Sequence, residues 1–122
     1  MKQDLIIGID PGVKTGYAEW LPSINEFLNI QTFKIHNAFV PILERGIFYN
    51  VYVVFEDARK RKWYGANSNS KIQGAGSVKR DCKIWEDFLT EAKKKNSIKD
   101  FKMVHPQRGM TKIKDVFFKE LT

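Results

Sequence analysis

Acidic residues close two short apolar segments of the sequence. Asp10 follows the run 5–9, and Glu56 and Asp57 follow the run 51–55. Short runs rich in β-branched and aromatic residues are typical of buried strands. If these two strands are neighbours in a sheet, their carboxylates emerge at one edge, and carboxylate oxygens are ligands that Mg²⁺ prefers. Two such ions about 3.5–4 Å apart can activate water and stabilise the leaving oxygen of a phosphodiester.

Each acid also has a purely structural interpretation. Asp10 begins the sequence Asp-Pro-Gly, a common turn signal in which the carboxylate binds its own backbone. Glu56 and Asp57 are equally compatible with an ordinary solvated strand end. The sequence does not show whether the two strands are adjacent, so both interpretations stay open at this level.

A basic and aromatic segment follows the second acidic strand end. Basic side chains neutralise phosphates, and aromatic rings stack on bases, with Trp63 the ring best placed to touch DNA. The mixed composition of residues 58–76 predicts a long loop. The run 93–95 falls where a helix should end and is assigned a structural role at the helix dipole. The residues predicted to contact nucleic acid are Arg59, Lys60, Arg61, Lys62, Trp63, Tyr64, Lys71, Lys79 and Arg80.

Composition limits the class of protein. The 122 residues fit one domain, and 43% hydrophobic residues allow a core without disulfides. The single cysteine, Cys82, favours a reducing compartment. No stretch reaches the ~18 apolar residues that a membrane span needs. The net charge of +7 favours an anionic partner. We therefore expect one cytoplasmic domain, 1–122, with no membrane partner.

Hydrophobic periodicity predicts an α/β domain with a mixed sheet and the element order βββαβαβα. Trp85 is predicted to lie in the core, on the apolar face of the second helix. Residues 74–77 precede that helix and are a weak candidate for phosphate binding at its N-terminus. The predicted elements are strands 5–10, 15–20 and 26–35, a helix capped by Asn37, strand 51–56, a helix over 77–95, strand 101–104 and a last helix from Thr111.

The segment 6–18, IIGIDPGVKTGYA, resembles the first motif of the RuvC-like Holliday junction resolvases of the RNase H-like superfamily. The matching residues are Asp10, Pro11, Gly12, Thr15 and Gly16. The strand VVFE, which ends at Glu56, resembles the second motif. The segment 104–122 resembles the family's last strand, proline and lysine-bearing helix start.

This resemblance implies a Mg²⁺-dependent endonuclease, with Mn²⁺ as an alternative ion, that cleaves branched DNA as a homodimer. It implies Asp10 and Glu56 as catalytic metal ligands and Lys112 beside the phosphate. Asp57, next to Glu56, is predicted as an extra ligand from this chain. The family completes its metal site with acids on a later helix, which the chain does not reach by Thr122. We therefore expect a longer natural protein; the alternative is an incomplete metal site.

Two other classes of protein share part of this sequence pattern. A branched-DNA-binding module without catalysis would need only the basic segment. An actin-like or sugar-kinase-like ATPase opens with a similar strand and turn, but those proteins duplicate the fold and are far longer than this chain.

Overall fold

A computed structural model describes residues 2–12, 14–57, 59 and 69–104. Over these residues the chain is α/β, with a mixed five-stranded sheet flanked by two helices; the α/β class, the mixed sheet and its five strands are as the sequence predicts. Its elements are β1 (Gln3–Asp10), β2 (Lys14–Leu21), β3 (Glu26–Lys34), a 3-10 turn (Ile35–Ala38), α1 (Phe39–Phe48), β4 (Tyr49–Glu56), α2 (Asn69–Lys94) and β5 (Asp100–Val104).

The strand order in the sheet is β3-β2-β1-β4-β5. β1 is antiparallel to β2, and β2 is antiparallel to β3. β1 is parallel to β4, and β4 is parallel to β5. The central strand β1 is therefore hydrogen-bonded along both sides. It is also buried over residues 5–9, which explains its continuous apolar run, because a strand covered on both faces does not alternate.

Both helices pack on the same face of the sheet, here called the helix face. Ile7 of β1 shares a core cluster with Ile42 of α1 and Trp85 of α2. The alternate residues of β1 lie on the other side, here called the opposite face, where Ile6 packs with Trp20 in a second cluster. Since side chains alternate along a strand, Asp10 belongs to the opposite face with Ile6.

The helix α2 begins earlier than the sequence predicts. It starts at Asn69 and not at Ser77, so the predicted loop is wrong over residues 69–76. The glycines at 74 and 76 each lower helix propensity by about 1 kcal/mol, which is why the pattern favoured a loop. The segment 74–77 lies within the helix, so its predicted place at a helix N-terminus is also wrong.

The start of α1 and the end of α2 are capped in different ways. Asn37 lies in the 3-10 turn, and α1 begins at Phe39 without a side-chain cap, so the predicted cap is wrong. At the end of α2, Asn96 adopts a left-handed φ of 62°, and the Ser97 N–H donates to the Ala92 carbonyl at 2.8 Å. This pattern satisfies the last free carbonyls of the helix.

The lysine run at the end of α2 is partly paired with acids. Lys93 Nζ lies 3.0 Å from Oδ1 of Asp100, and Lys95 Nζ lies 3.4 Å from Oε1 of Glu91.

Among the residues that the structure describes, no helix combines the length and apolar character needed to cross a bilayer. The predicted last helix and His105 lie outside the described residues.

Candidate metal site at the edge of the sheet

Asp10 and Glu56 lie next to each other where the parallel strands β1 and β4 end, at the carboxyl edge of the sheet. The parallel register of β1 and β4 pairs Ile9 with Phe55, so the two acids are the next residues along each strand. Adjacent strands are about 4.8 Å apart. Both side chains belong to the opposite face, because Glu56 alternates with Phe55, which lies on the helix face. Asp10 is exposed and Glu56 is half-buried.

The hairpin between β1 and β2 makes room for Asp10. Gly16 is the residue of β2 that pairs with Asp10. A Cβ added at Gly16 would lie 3.3 Å from the Cβ of Asp10. The hydroxyl of Thr15, which is fully buried, donates to the carbonyl of Gly12 at 3.0 Å. The Pro-Gly, Thr and Gly positions of the first motif thus shape the turn that carries Asp10.

Asp57 faces away from this pair. Its carboxylate accepts hydrogen bonds from Arg59 Nε and Nη2, each at 2.8 Å, and from the Arg59 backbone N–H at 3.0 Å. Its own N–H donates to the Val104 carbonyl at 2.8 Å. The Arg59 guanidinium lowers the pKa of Asp57, against the opposing effect of burial. Asp57 is therefore not included in the ligand set proposed below.

The same contacts account for Arg59. Its Nη1 lies 3.3 Å from Oε1 of Glu86 on α2, and the hydrogen bonds that it donates to the Asp57 carboxylate raise the pKa of the guanidinium further. Arg59 was predicted to contact nucleic acid because it opens the basic segment. Paired with two carboxylates, it joins the end of β4 to α2 and is not included among the phosphate-binding residues proposed below.

Three other predicted contacts lie on α2. Lys79 and Arg80 are exposed. They precede Cys82, which packs in the core cluster with Phe55, so this part of the helix lies near the edge that carries Glu56. Lys71 is within α2. Residues 60–64 and Lys112 lie outside the described residues.

The described residues contain no group of three or more His, Cys, Asp or Glu side chains placed to hold a metal ion. Asp10 and Glu56 supply two carboxylates. Mg²⁺ is commonly held by one or two carboxylates, with water and substrate phosphates as the remaining ligands. The donor chemistry of this pair therefore fits a Mg²⁺ ion that is shared with a phosphate.

A buried ion pair was missed by the sequence analysis. Glu19 of β2 is 1% exposed, and its carboxylate accepts hydrogen bonds from Arg45 of α1 at 2.9 and 3.1 Å and from the Tyr17 hydroxyl at 2.5 Å. Burial, with the Glu19 carboxylate beside it, raises the pKa of Tyr17. The available signal was an acid at an inward position of the strand TGYAEW. This pair fixes α1 to the sheet.

Comparison of the chain with models of known protein families, with curated proteins and with solved structures gave no significant match.

Proposed function

We propose that this chain is a Mg²⁺-dependent endonuclease with an RNase H-like fold that cleaves branched DNA. The observation that carries the proposal is the position of Asp10 and Glu56, one residue beyond the paired Ile9 and Phe55, at the adjacent ends of two parallel strands and on one face of the sheet. Their separation of 46 residues in the sequence is closed only by this strand pairing. The described element order, βββαβαβ, agrees with the arrangement that the resemblance to RuvC-like resolvases implies.

The two carboxylates and the substrate phosphate share the coordination of the metal ion. Asp10 and Glu56 bind and orient the ion, and Gly16 keeps the space in front of Asp10 clear. A Mg²⁺ ion held there supplies a more acidic water and a positive charge beside the phosphate oxygens. The chemistry that the ion would supply is hydrolysis of the phosphodiester by this water. Lys112 is proposed to stabilise the charge that develops on the phosphate.

Charge supports a nucleic acid substrate. The chain carries a formal charge of +7, and Lys79 and Arg80 are exposed on the part of α2 nearest the edge. Basic residues at 60–62 and the aromatic pair Trp63–Tyr64 follow Glu56 closely in sequence. Such side chains neutralise backbone phosphates and stack on unpaired bases, which are exposed at a branch point.

The test is cleavage of a labelled four-way DNA junction with Mg²⁺, compared with linear duplex of the same sequence. We expect paired nicks with the wild type and at least a ~100-fold loss with Asp10→Asn, because one charged ligand is removed. Junction binding should be unchanged in this variant. An Asp4→Asn control replaces an exposed acid at the other end of β1 and should cleave normally. Equal cleavage by the Asp10 variant would contradict the site.

A second candidate function is a branched-DNA-binding module without catalysis. It is favoured by one observation: in the described part of the chain, Asp10 and Glu56 are joined by no third metal-ligating side chain. Junction binding by the wild type, with no metal-dependent product, would support this function over the nuclease.

A further inference from the structure

The exposed hydrophobic side chains of the described residues are concentrated on two elements. All of the large ones lie on β3, on the turn before it, or on α1. These residues are Ile24, Phe27, Leu28, Ile30, Val40, Leu43, Ile47 and Phe48. Ile30 lies on the opposite face of the sheet, because it pairs with Ala18, whereas α1 packs on the helix face. Apolar side chains exposed in such numbers on neighbouring elements are typical of surfaces that bind a partner.

β3 is an edge strand of the sheet over the described ranges. Its outer backbone groups are therefore available to a further strand. Charged residues usually guard such an edge against pairing with another chain. β3 has none between Glu26 and Lys34 along its nine residues. The other edge strand, β5, has only five residues and carries Asp100 and Lys102. The edge strand without charged residues between its two ends is thus the longer one, β3.

We propose that a second copy of this chain pairs antiparallel with β3, across a two-fold axis at Ile30. In this register Ile30 lies opposite Ile30 of the other copy, and Asn29 lies opposite Gln31, whose amide already donates to Asn29 within one chain at 3.0 Å. The acidic end at Glu26 then meets the basic end at Lys34. An isologous pair needs a self-complementary surface of this kind.

A β-bulge limits the length of the proposed pairing. The register of β2 and β3 shifts between Glu19 and Trp20, which leaves Leu28 out of step with β2. Because a bulge breaks the alternation of side chains, direct opposition across the axis is confined to residues 28–32. The charged side chains of Glu26 and Lys34 lie at the rim of that stretch, where their attraction is screened and sets orientation more than affinity.

Five paired residues bury too little for a stable interface, which usually takes about 800 Å² from each partner. The surface beside β3 supplies more. A cavity of about 600 Å³ lies between β3 and α1, lined by Asn29 and Gln31 on one side and by Val40 and Phe48 on the other. A copy paired along β3 carries its own α1 to this side, so the cavity and the exposed apolar residues of α1 extend the interface.

The pairing has a consequence that rests on the proposed nuclease function. The two-fold axis is perpendicular to the sheet, so the opposite faces of both copies point the same way. Five strand spacings separate the two β1 strands, and Asp10 lies two residues beyond the level of Ile30, which pairs through Ala18 with Gly8. A flat sheet then places the two Asp10 residues roughly 28 Å apart. Two sites on one face can reach two strands of one branched DNA.

Sedimentation velocity of the full chain, over a range of concentrations and without DNA or metal, tests the pairing. We expect the wild type to form a dimer and Ile30→Lys to weaken it at least ~10-fold, because it sets two like charges opposite each other. Thr90→Lys is the control, because it adds the same charge at an exposed position of α2, outside this surface. A monomeric wild type, or an Ile30→Lys dimer as strong as the control, would overturn the proposal.

A disulfide tests the register. Ile30→Cys should form a covalent dimer when an oxidant is added, whereas Thr90→Cys, on the exposed surface of α2, should not, and the buried Cys82 is common to both. A dimer that survives Ile30→Lys but is lost with Ile47→Lys would place the interface on α1 alone and overturn the β3 register. A monomer that still cleaves junctions would contradict only the pairing, and a dimer without cleavage would contradict only the nuclease.

Discussion

Single residues on the hairpin between β1 and β2 control the space around Asp10. Gly16→Ala would put a Cβ 3.3 Å from that of Asp10, closer than most such contacts. We expect the carboxylate to be displaced and junction cleavage to fall about tenfold, since a misplaced catalytic group costs rate even when the fold is kept. Ala18→Gly, on the same strand and face, is the control and should cleave normally. Unchanged cleavage by Gly16→Ala would show that Asp10 needs no such space.

The ion pair between Asp57 and Arg59 makes the stability of the fold depend on pH. The pKa of Asp57 is lower in the folded chain than its ordinary value of about 4. The ionised carboxylate therefore stabilises the fold above that value, and this contribution is lost as the pH falls through the lowered pKa. At neutral pH, Arg59→Met should destabilise the fold by about 3 kcal/mol, because a buried carboxylate loses its partner.

Urea unfolding at pH 7 and pH 3 checks this coupling. The difference between wild type and Arg59→Met should shrink at pH 3, because the carboxylate of the unfolded chain is largely protonated there and the stabilisation from the ionised form is partly lost. Lys83→Met is the control, because Lys83 pairs with Asp87 at 3.0 Å on the exposed surface of α2, where solvent screens an ion pair and its effect on stability is small at both pH values. A difference that is the same at both pH values would contradict the role of Asp57.

At the scale of elements, local patterns predicted the strands and the position of Trp85 in the core, but not what depends on distant contacts. The sequence identified Asp10 and Glu56 as strand ends, and only the pairing of β1 with β4 brings them together. Arg59 looked like a member of the basic segment because the burial of Asp57 is not visible in sequence. The early start of α2 was hidden by its glycines, whose low propensity is overridden by packing.

Gly46 of α1 packs against the backbone that follows α2, and replacing this glycine with alanine has two effects of opposite sign on the stability of the fold. A Cβ at Gly46 would lie 2.1 Å from the backbone oxygen of Ser97. Helix propensity alone would make Gly46→Ala stabilising by about 1 kcal/mol. We expect the clash to dominate and the variant to be destabilised by about 1–3 kcal/mol, as in other overpacked cores.

Thermal unfolding measures the sign for Gly46. Thr90→Ala, at an exposed position of α2, is the control and should change stability by less than about 0.5 kcal/mol. A higher melting temperature for Gly46→Ala would show that the backbone at Ser97 can move away.

On the scale of the whole molecule, the net charge of +7 predicts a steep salt dependence of DNA binding. Release of condensed counterions should lower the junction affinity at least tenfold between about 50 and 200 mM salt. Lys79→Ala with Arg80→Ala should weaken binding and reduce the slope by about one to two units. Lys93→Ala with Lys95→Ala is the matched control, because both lysines already pair with acids. Equal slopes in the two double variants would contradict the predicted contacts on α2.

The central position of β1 also determines which part of the chain opens last. Its amides bond to strands on both sides, and residues 5–9 are buried on both faces. Amide hydrogens in such a strand exchange only when the whole domain unfolds, whereas edge strands and helix ends open locally. Asp10 lies at the end of this strand, so we expect the position of its carboxylate to persist while β3 or the ends of α2 open locally.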